Sequence, residues 1–140
     1  MTAATMVVML FATRTFAQIM QEKNVPTNVK STFQKKYPTA TAVKWDKEGE
    51  KYEASFDLNK TDNSVSLDAQ GNSIETEVEI ELTQLPKGIL DYIKIHYAGK
   101  QGKEGAKITD AKGTVTYEIE IKGMDLIFDN NGKFIKELKG

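Results

Sequence analysis

Residues 25–37, with the sequence VPTNVKSTFQKKY, return in altered form as residues 85–97, with the sequence LPKGILDYIKIHY. Each copy has proline at its second position, tyrosine at its last and an apolar residue at every fourth position. Proline suits the first position of a helix, and the four-residue spacing places the apolar side chains on one stripe. The sequence therefore predicts two short amphipathic helices, each of which opens one unit of a tandem repeat.

The residues after each predicted helix alternate between apolar and polar instead. This alternation runs through residues 51–58, 74–82 and 115–121, and it is typical of strands with one buried face. The stretches 68–71 and 129–132, DAQG and DNNG, end in glycine and predict hairpin turns. Each half is thus predicted to be a helix followed by about four antiparallel strands. That order indicates an α+β fold, with the strands in one layer and both helices packed on one face.

The length of 140 residues fits one domain or two small fused halves. We expect a first repeat at residues 25–82 and a second repeat at residues 83–140. The two should form one compact unit, because a single helix on four strands buries little apolar area. Residues 18–24 are polar and are expected to be a mobile segment.

The first 17 residues have features of a targeting segment. Residues 6–12, MVVMLFA, are an apolar run too short to span a bilayer, and Thr15 and Ala17 supply the small residues that signal cleavage prefers. We therefore expect a signal peptide at residues 1–17 and a mature chain from Gln18 that is periplasmic, at the cell surface or secreted, with no membrane span. The alternative is an N-terminal helix that packs on the domain, because the residues before the apolar run include no lysine or arginine.

The composition excludes several classes of function. A net charge of −1 gives no overall field that would attract nucleic acid or an anionic membrane. The absence of cysteine excludes disulfides, cysteine-ligated zinc and a cysteine nucleophile, and a single histidine excludes a multi-histidine metal site within one chain. The sequence has no glycine-rich phosphate loop and no nucleophile elbow. We therefore expect a protein that is not an enzyme and that uses no cofactor or metal.

An ordered series of short motifs resembles a known bacterial family. In the order of the chain, the first motifs are Val25-Pro26, Phe33, Tyr37-Pro38, Val43-Lys44-Trp45 and Tyr52-Glu53. The remaining motifs are DAQGN at 68–72 with the Glu/Ile strand after it, Leu85-Pro86, Tyr97 and GTVTYE at 113–118. Together they resemble the PepSY-like, β-lactamase-inhibitor-like proteins over about residues 24–138. The chain departs from the family pattern at Ala98, where the family often has proline, and in its glycine-rich loop.

The resemblance implies export and a tandem α/β repeat with an antiparallel sheet. The family name refers to an inhibitor that grips an enzyme with a concave sheet face, and PepSY modules are associated with restraint of peptidases. The first hypothesis is therefore a non-enzymatic, exported binding module that contacts a protein or peptide through its polar sheet face. The alternative is an inhibitor or regulator of a peptidase or another periplasmic enzyme, which would act through protruding loops at 59–63 and 99–105.

The polar positions of two alternating strands supply the candidate partner-binding residues. These are Lys51, Glu53, Ser55, Thr116, Glu118 and Glu120, with Trp45 as an additional candidate. The two triplets occupy corresponding places in the repeat and are expected to form one continuous surface. Trp45 has a second interpretation, since its alternation with Val43 also suits a core residue whose rough counterpart is Ile108.

Three further features have structural interpretations that we favour over functional ones. His96 is expected to be half-buried against Tyr92, because no nucleophile or acid partner is evident. The DNNG stretch at 129–132 echoes a calcium loop but lacks the remaining ligands, so a hairpin turn is expected. A row of glutamates is expected to be a solvated strand face, with a weak calcium or basic-partner surface as the alternative. The row consists of Glu75, Glu77, Glu79 and Glu81.

Overall fold

A computed structural model describes residues 18–139, which form one nine-stranded antiparallel sheet and two α-helices. Within these residues the strands lie in the sheet in chain order, so each is hydrogen-bonded to its neighbours in sequence. The strands are β1 (Gln18–Met20), β2 (Thr41–Glu48), β3 (Lys51–Leu58), β4 (Thr61–Leu67), β5 (Ser73–Ile80), β6 (Glu104–Asp110), β7 (Val115–Ile121), β8 (Met124–Asp129) and β9 (Phe134–Lys139). The helices are α1 (Thr27–Lys36) and α2 (Ile89–His96). Each helix precedes four strands, which confirms the predicted α+β tandem architecture.

Helix α1 forms where the four-residue spacing predicts it. It begins directly after Pro26 and ends before Tyr37, because a residue that precedes proline avoids helical backbone geometry. Its buried side chains, Val29 and Phe33, pack on the first half of the sheet. The Phe33 ring meets the Phe56 ring edge-to-face at 5.0 Å between centroids, which is a favoured aromatic arrangement. The same core contains Val25, Trp45, Ala54, Val65 and Leu67.

Helix α2 repeats this arrangement in the second half. Its buried side chains, Ile89 and Ile93, occupy the positions that correspond to those buried in α1. The core beneath them also contains Ile119, Ile121, Leu126 and Phe128. The register across β4 to β8 places the strand residues of both cores on the same face of the sheet. Both helices therefore pack on one face, as predicted.

The segment before α1 differs from its expected mobile state. Residues 18–24 contain strand β1, which pairs with β2, and a 3₁₀ turn at Glu22–Asn24. Met20 of β1 is opposite Trp45 and packs against the first core. This one apolar contact and the strand pairing order a segment whose composition is otherwise polar.

The loop expected at residues 59–63 is a tight turn. Asn59 and Lys60 both have positive φ, 51° and 63°, and β4 begins at Thr61. Two central residues with positive φ are the feature of a two-residue type I′ hairpin, whose twist matches the flanking strands. Asparagine tolerates this conformation better than most residues, so the turn needs no glycine at its first central position.

Three hairpin turns share one hydrogen-bonding arrangement. Asp68, Asp110 and Asp129 each begin a D-x-x-G sequence, and each side chain accepts bonds of 2.8 or 2.9 Å from backbone N–H groups two and four residues later. The glycines of these turns have φ values of 87°, 85° and 81°, which glycine adopts without steric cost. The hairpin-turn interpretation of the DNNG stretch is therefore confirmed.

Two of these turn glycines also lie against the helices. A Cβ atom on Gly71 would be 2.8 Å from Oγ1 of Thr32 in α1, and one on Gly132 would be 3.3 Å from Cβ of Pro86, just before α2. The equivalent turn of each half is thus seated on the first part of its own helix. The space between turn and helix admits a glycine and little more.

Neither of the described helices has the length and apolar character needed to cross a membrane. The predicted signal peptide at residues 1–17 lies outside the described residues.

Candidate functional site

The sheet face opposite the two helices, here called the open face, brings polar residues of many strands together. The pairing across β5, β6 and β7 puts Glu79 opposite Ala106 and Ala106 opposite Glu118. Two further rows across β3, β4 and β5 are Glu53 with Ser66 and Glu75, and Ser55 with Ser64 and Glu77. Short side chains therefore separate the glutamates of different strands.

A cavity of about 200 Å³ lies on the open face, bordered by strands β2 to β7. Its lining includes the short side chains of Ser55, Ser64 and Ala106, so the neighbouring acidic side chains surround the space instead of filling it. Eight carboxylates line the cavity: Glu53, Asp57, Asp62, Glu77, Glu79, Glu104, Glu118 and Glu120. One lysine, Lys44, lines it as well.

Glu118 is the most deeply buried acid of this cavity, with 6% of its surface exposed. It lies between Ala106 on β6 and Ile127 on β8, both of which are buried. Burial first, and then the nearby charges with Asp125 foremost, raise the pKa of Glu118 to about 8. An ionised Glu118 is therefore costly in the empty cavity.

The pKa values of Glu77 and Glu53 are also raised, mainly by burial. Burial raises the pKa of Glu77 to about 9, and the negative charges of Glu118 and Glu53 act in the same direction. Burial likewise raises the pKa of Glu53 to about 7, although a hydrogen bond with Ser64 opposes the shift. These carboxyls hold protons at a pH at which an ordinary glutamate has lost its own.

The rim of the cavity shows the same excess of acid. Burial raises the pKa of Asp62 and of Glu79, and these two carboxyls lie within hydrogen-bonding reach of one another. Two carboxyls can bond in this way only when they share a proton. Burial also raises the pKa of Glu104, whose Oε2 atom is buried and has no hydrogen-bond partner among the described residues.

Basic groups near this site act at its edges. Burial raises the pKa of Glu75 and of Glu104, and the charges of Lys51 and Lys103, respectively, oppose these rises. Every charge that shifts the pKa of Glu77 or of Glu118 belongs to another acid. The other acids around these two interior carboxyls therefore oppose their ionisation.

The chemistry open to this site is limited by its geometry. No group of three or more histidine, cysteine, aspartate or glutamate side chains within residues 18–139 is placed to hold a metal ion. Catalysis by carboxyl pairs depends on environments that push two pKa values apart, so that one group is an acid and the other a base. Six of the cavity carboxyls instead have raised pKa values, and this concentration of acid suits the recognition of a positive group: Glu53, Asp62, Glu77, Glu79, Glu104 and Glu118.

The predicted site residues divide into three sets. Glu53, Ser55, Glu118 and Glu120, from strands β3 and β7, line the one cavity. Lys51 and Thr116 lie on the open face outside it. Trp45 lies on the opposite face, is 4% exposed and contacts Phe33 at 5.3 Å between ring centroids. The interpretation of Trp45 as a core residue is correct, and as a candidate contact residue it lies away from this surface.

Glu77, Glu79 and Glu104 are cavity residues that the sequence did not single out as a site. The expectation that the glutamates of β5 form a solvated face is wrong for Glu77, which is partly buried with a raised pKa. The alternation of Glu77 and Glu79 along β5 indicates that these two side chains share one face of the sheet. Their burial depends on side chains of β3, β4 and β6, which the local pattern does not contain.

Two other sequence-based expectations need correction. His96 stacks on Tyr92 at 4.1 Å between ring centroids, as expected, but it is exposed and not half-buried. Ile108, taken as the rough counterpart of Trp45, points to the open face, because it pairs with Glu77 and Thr116.

Solved structures show where this fold occurs. A "putative periplasmic" protein of Bacteroides eggerthii has a TM-score of 0.74 at 16% identity, over 82% of this chain and 88% of the other. A DUF2874 family protein of Bacteroides uniformis has a TM-score of 0.72 at 20% identity, over 81% and 88%. A BLIP-like protein of Bacteroides fragilis has a TM-score of 0.67 at 22% identity, over 81% and 85%. At these identities the likeness establishes the fold alone.

A family match accounts for the repeat as well as the fold. The family described as "Putative beta-lactamase-inhibitor-like, PepSY-like" matches residues 13–74 and again residues 50–136. The two matches overlap at residues 50–74, and a double match along one chain is consistent with a tandem repeat. No curated protein matches the sequence. The chain belongs to the PepSY-like, β-lactamase-inhibitor-like family.

Proposed function

We propose that this chain is a non-enzymatic, exported binding module that contacts a protein or peptide through the open face. One observation carries the proposal: the almost wholly buried Glu118 borders a cavity together with Glu104, whose Oε2 atom is buried and has no hydrogen-bond partner among the described residues. A buried, unpaired polar group costs the isolated fold about 1–3 kcal/mol. Folds tolerate such a cost mainly at functional sites, where a bound partner can satisfy the group.

The architecture supports this assignment of surfaces. Both described helices cover one face of the sheet and leave the other face to solvent, an arrangement that antiparallel sheets allow. An ordinary solvated face carries fully hydrated charges, whereas Glu53, Glu77 and Glu118 are withdrawn from water. Solubility alone does not require carboxyls that are partly buried in this way on the open face.

Export is supported by two independent features. The apolar run and small residues of positions 1–17 have the pattern of a signal peptide. The similar structure from Bacteroides eggerthii is described as "putative periplasmic". Cleavage near Ala17 would leave β1 as the first element of the mature protein.

The test is affinity capture from an envelope extract with the full chain, followed by binding measurements with the purified partner. Glu120→Lys reverses a charge at the cavity, and Asp91→Lys reverses a matched charge on the exposed side of α2. We expect Glu120→Lys to weaken binding about tenfold or more and Asp91→Lys to leave it unchanged. Equal binding by both variants, or selective loss in Asp91→Lys, would refute the assignment to the open face.

The identity of the captured partner also separates the binding module from the alternative inhibitor or regulator. An inhibitor must abolish the activity of its target at a stoichiometric amount. A partner that keeps full activity when saturated with this chain would support an adaptor role.

A further inference from the structure

We infer that the cavity on the open face accepts a single cationic side chain, arginine or lysine, from a partner polypeptide. This inference rests on the proposed function and specifies the chemistry that the partner presents. It begins from Glu118, which is more than nine-tenths buried and borders the cavity, and from Oε2 of Glu104, which is buried without a hydrogen-bond partner in the described part of the chain.

The sign of the charge in the cavity selects a cation. The acids that face Glu118 come from five strands: Glu53, Glu75, Glu77, Glu104, Glu120 and Asp125. Lys44 borders the cavity from β2, at the side away from β7, and it already has an interaction of its own. A partner's positive group would relieve the mutual repulsion of these acids, and an ion pair with the buried Glu118 is stronger than one at an exposed surface.

The size of the cavity selects a side chain over a larger ligand. Its volume of about 200 Å³ is below the roughly 300–1,000 Å³ of pockets that enclose drug-sized molecules. Since a water molecule takes up about 30 Å³, the space equals that of about seven waters and suits one extended side chain.

The available acceptors match the head group of such a side chain. Arginine presents five N–H donors in a planar fork and lysine presents three, and neither has an acceptor. The cavity offers carboxylate oxygens in return, those of Glu118 on β7 and those of Glu104 on β6, of which Oε2 of Glu104 has no hydrogen-bond partner among the described residues. Ala106 lies between Glu79 and Glu118, so a cation above this short side chain would be flanked by an acid on each side.

A bare metal ion fits less well than an organic cation. Within residues 18–139 no three acidic, histidine or cysteine side chains converge as metal ligands. The carboxylates are spread over successive strands, which stand about 4.8 Å apart in a sheet. A guanidinium or ammonium group on a long stem can reach acceptors that are too far apart to coordinate one ion.

The inference is tested with two peptides titrated into the ¹⁵N-labelled full chain at pH 8.5. One is acetyl-glycyl-arginyl-glycine amide, and the other has citrulline, which has the same shape without the charge, in place of arginine. The arginine peptide should shift backbone amide signals of β5, β6 and β7 and bind about tenfold more tightly than the citrulline peptide. A lysine peptide of the same length should bind at the same residues.

Variants and pH supply independent controls. Glu118→Gln should weaken the arginine peptide about tenfold, while Glu50→Gln, in the exposed β2–β3 turn, should not change its affinity. The affinity should rise from pH 6 to pH 9, because the cation binds the ionised form of acids that are protonated at the lower pH.

The outcomes separate this inference from the proposed function. Equal binding of the two peptides, or an unchanged affinity in Glu118→Gln, would show that the open face binds peptide without selecting a cation. Shifts confined to the helices, or none at all, would overturn the cation site. In either case, the captured partner and its response to Glu120→Lys would still decide whether the open face is the binding surface.

Discussion

Glu118 stands directly opposite Ile127 across β7 and β8, and both side chains are almost wholly buried on the open face. A carboxylate beside a buried isoleucine loses hydration, and the neighbouring acids add to the cost of its ionisation. The chain thus places an ionisable group where an apolar or amide group would be more stable. Replacement of the Glu118 carboxylate by a neutral group should therefore change the stability of the protein.

Glu118→Gln should raise the free energy of unfolding by about 1 kcal/mol or more at pH 8.5. Glutamine keeps the shape of the side chain and removes a charge that burial and neighbouring acids disfavour. Urea denaturation checks this prediction, with Glu50→Gln as the control expected to stay within about 0.5 kcal/mol of the parent. A less stable Glu118→Gln protein would mean that the carboxylate makes a favourable contact in the isolated chain.

The whole protein should lose stability as the pH rises from about 5.5 to 9. Glu53, Glu118 and Glu77 have pKa values raised to about 7, 8 and 9, so the folded state keeps protons that the unfolded state has released. The unfolded state is then favoured by higher pH, at up to about 1.4 kcal/mol per pH unit for each proton. Urea midpoints at three pH values would show the slope.

The lowered pKa values of two other acids limit the predicted loss of stability to pH values above about 5.5. Hydrogen bonds lower the pKa of Asp68 and of Asp110, with the Asn72 side chain as the largest cause for Asp68 and the Thr114 backbone for Asp110. Their contribution to stability is lost only as the pH falls below the ordinary carboxyl range. A midpoint that increases from pH 5.5 to 9 would contradict the raised pKa values of the cavity.

Gly71→Ala should destabilise the protein more than Gly113→Ala does. Both glycines have positive φ, 87° and 85°, and both substitutions should therefore cost about 1–2 kcal/mol through the backbone alone. A Cβ at Gly71 would also lie 2.8 Å from Oγ1 of Thr32, whereas nothing lies within 4 Å at Gly113. Thermal denaturation measures the difference, and equal losses would show that the turn and α1 separate freely.

Ile93→Ala, in the second half, should lower the midpoint reported by the fluorescence of Trp45, in the first half. The two halves share a continuous pairing of β5 with β6, from Glu75 opposite Asp110 to Ile80 opposite Gly105. Removal of a buried isoleucine side chain costs about 2–5 kcal/mol. The fluorescence and far-UV circular dichroism transitions should coincide and move together, and a fluorescence midpoint unchanged by Ile93→Ala would show that the halves unfold separately.

The sequence was most informative where a pattern is local. The spacing of Val29 and Phe33, and of Ile89 and Ile93, marks the buried stripe of each helix, because a helix turn brings residues four apart to one side. The alternation in β3 and β7 separates the two faces of the sheet for the same kind of reason. These local rules are sufficient to predict the α+β tandem architecture.

The cavity depends on contacts between strands, and no local rule predicts these. The alternation along β5 predicts that Glu77 is solvated. In the sheet, however, the residues beside it include Ser64 on β4 and Ile108 on β6. The burial of Glu118 likewise depends on Ala106 and Ile127, each from a different strand. The register between strands determines these neighbours, and a single sequence does not reveal that register.

Because each strand pairs with the strand before it, the sheet can be assembled in the order in which the chain is synthesised. Closure of a short connection costs little entropy, and β2 to β5 can pair before the second half has emerged. During that interval β5 is an unprotected edge, on which a foreign strand could pair. Its glutamates Glu75, Glu77 and Glu79 then repel such strands until β6 arrives, so the acids that later line the open face also guard the nascent chain against aggregation.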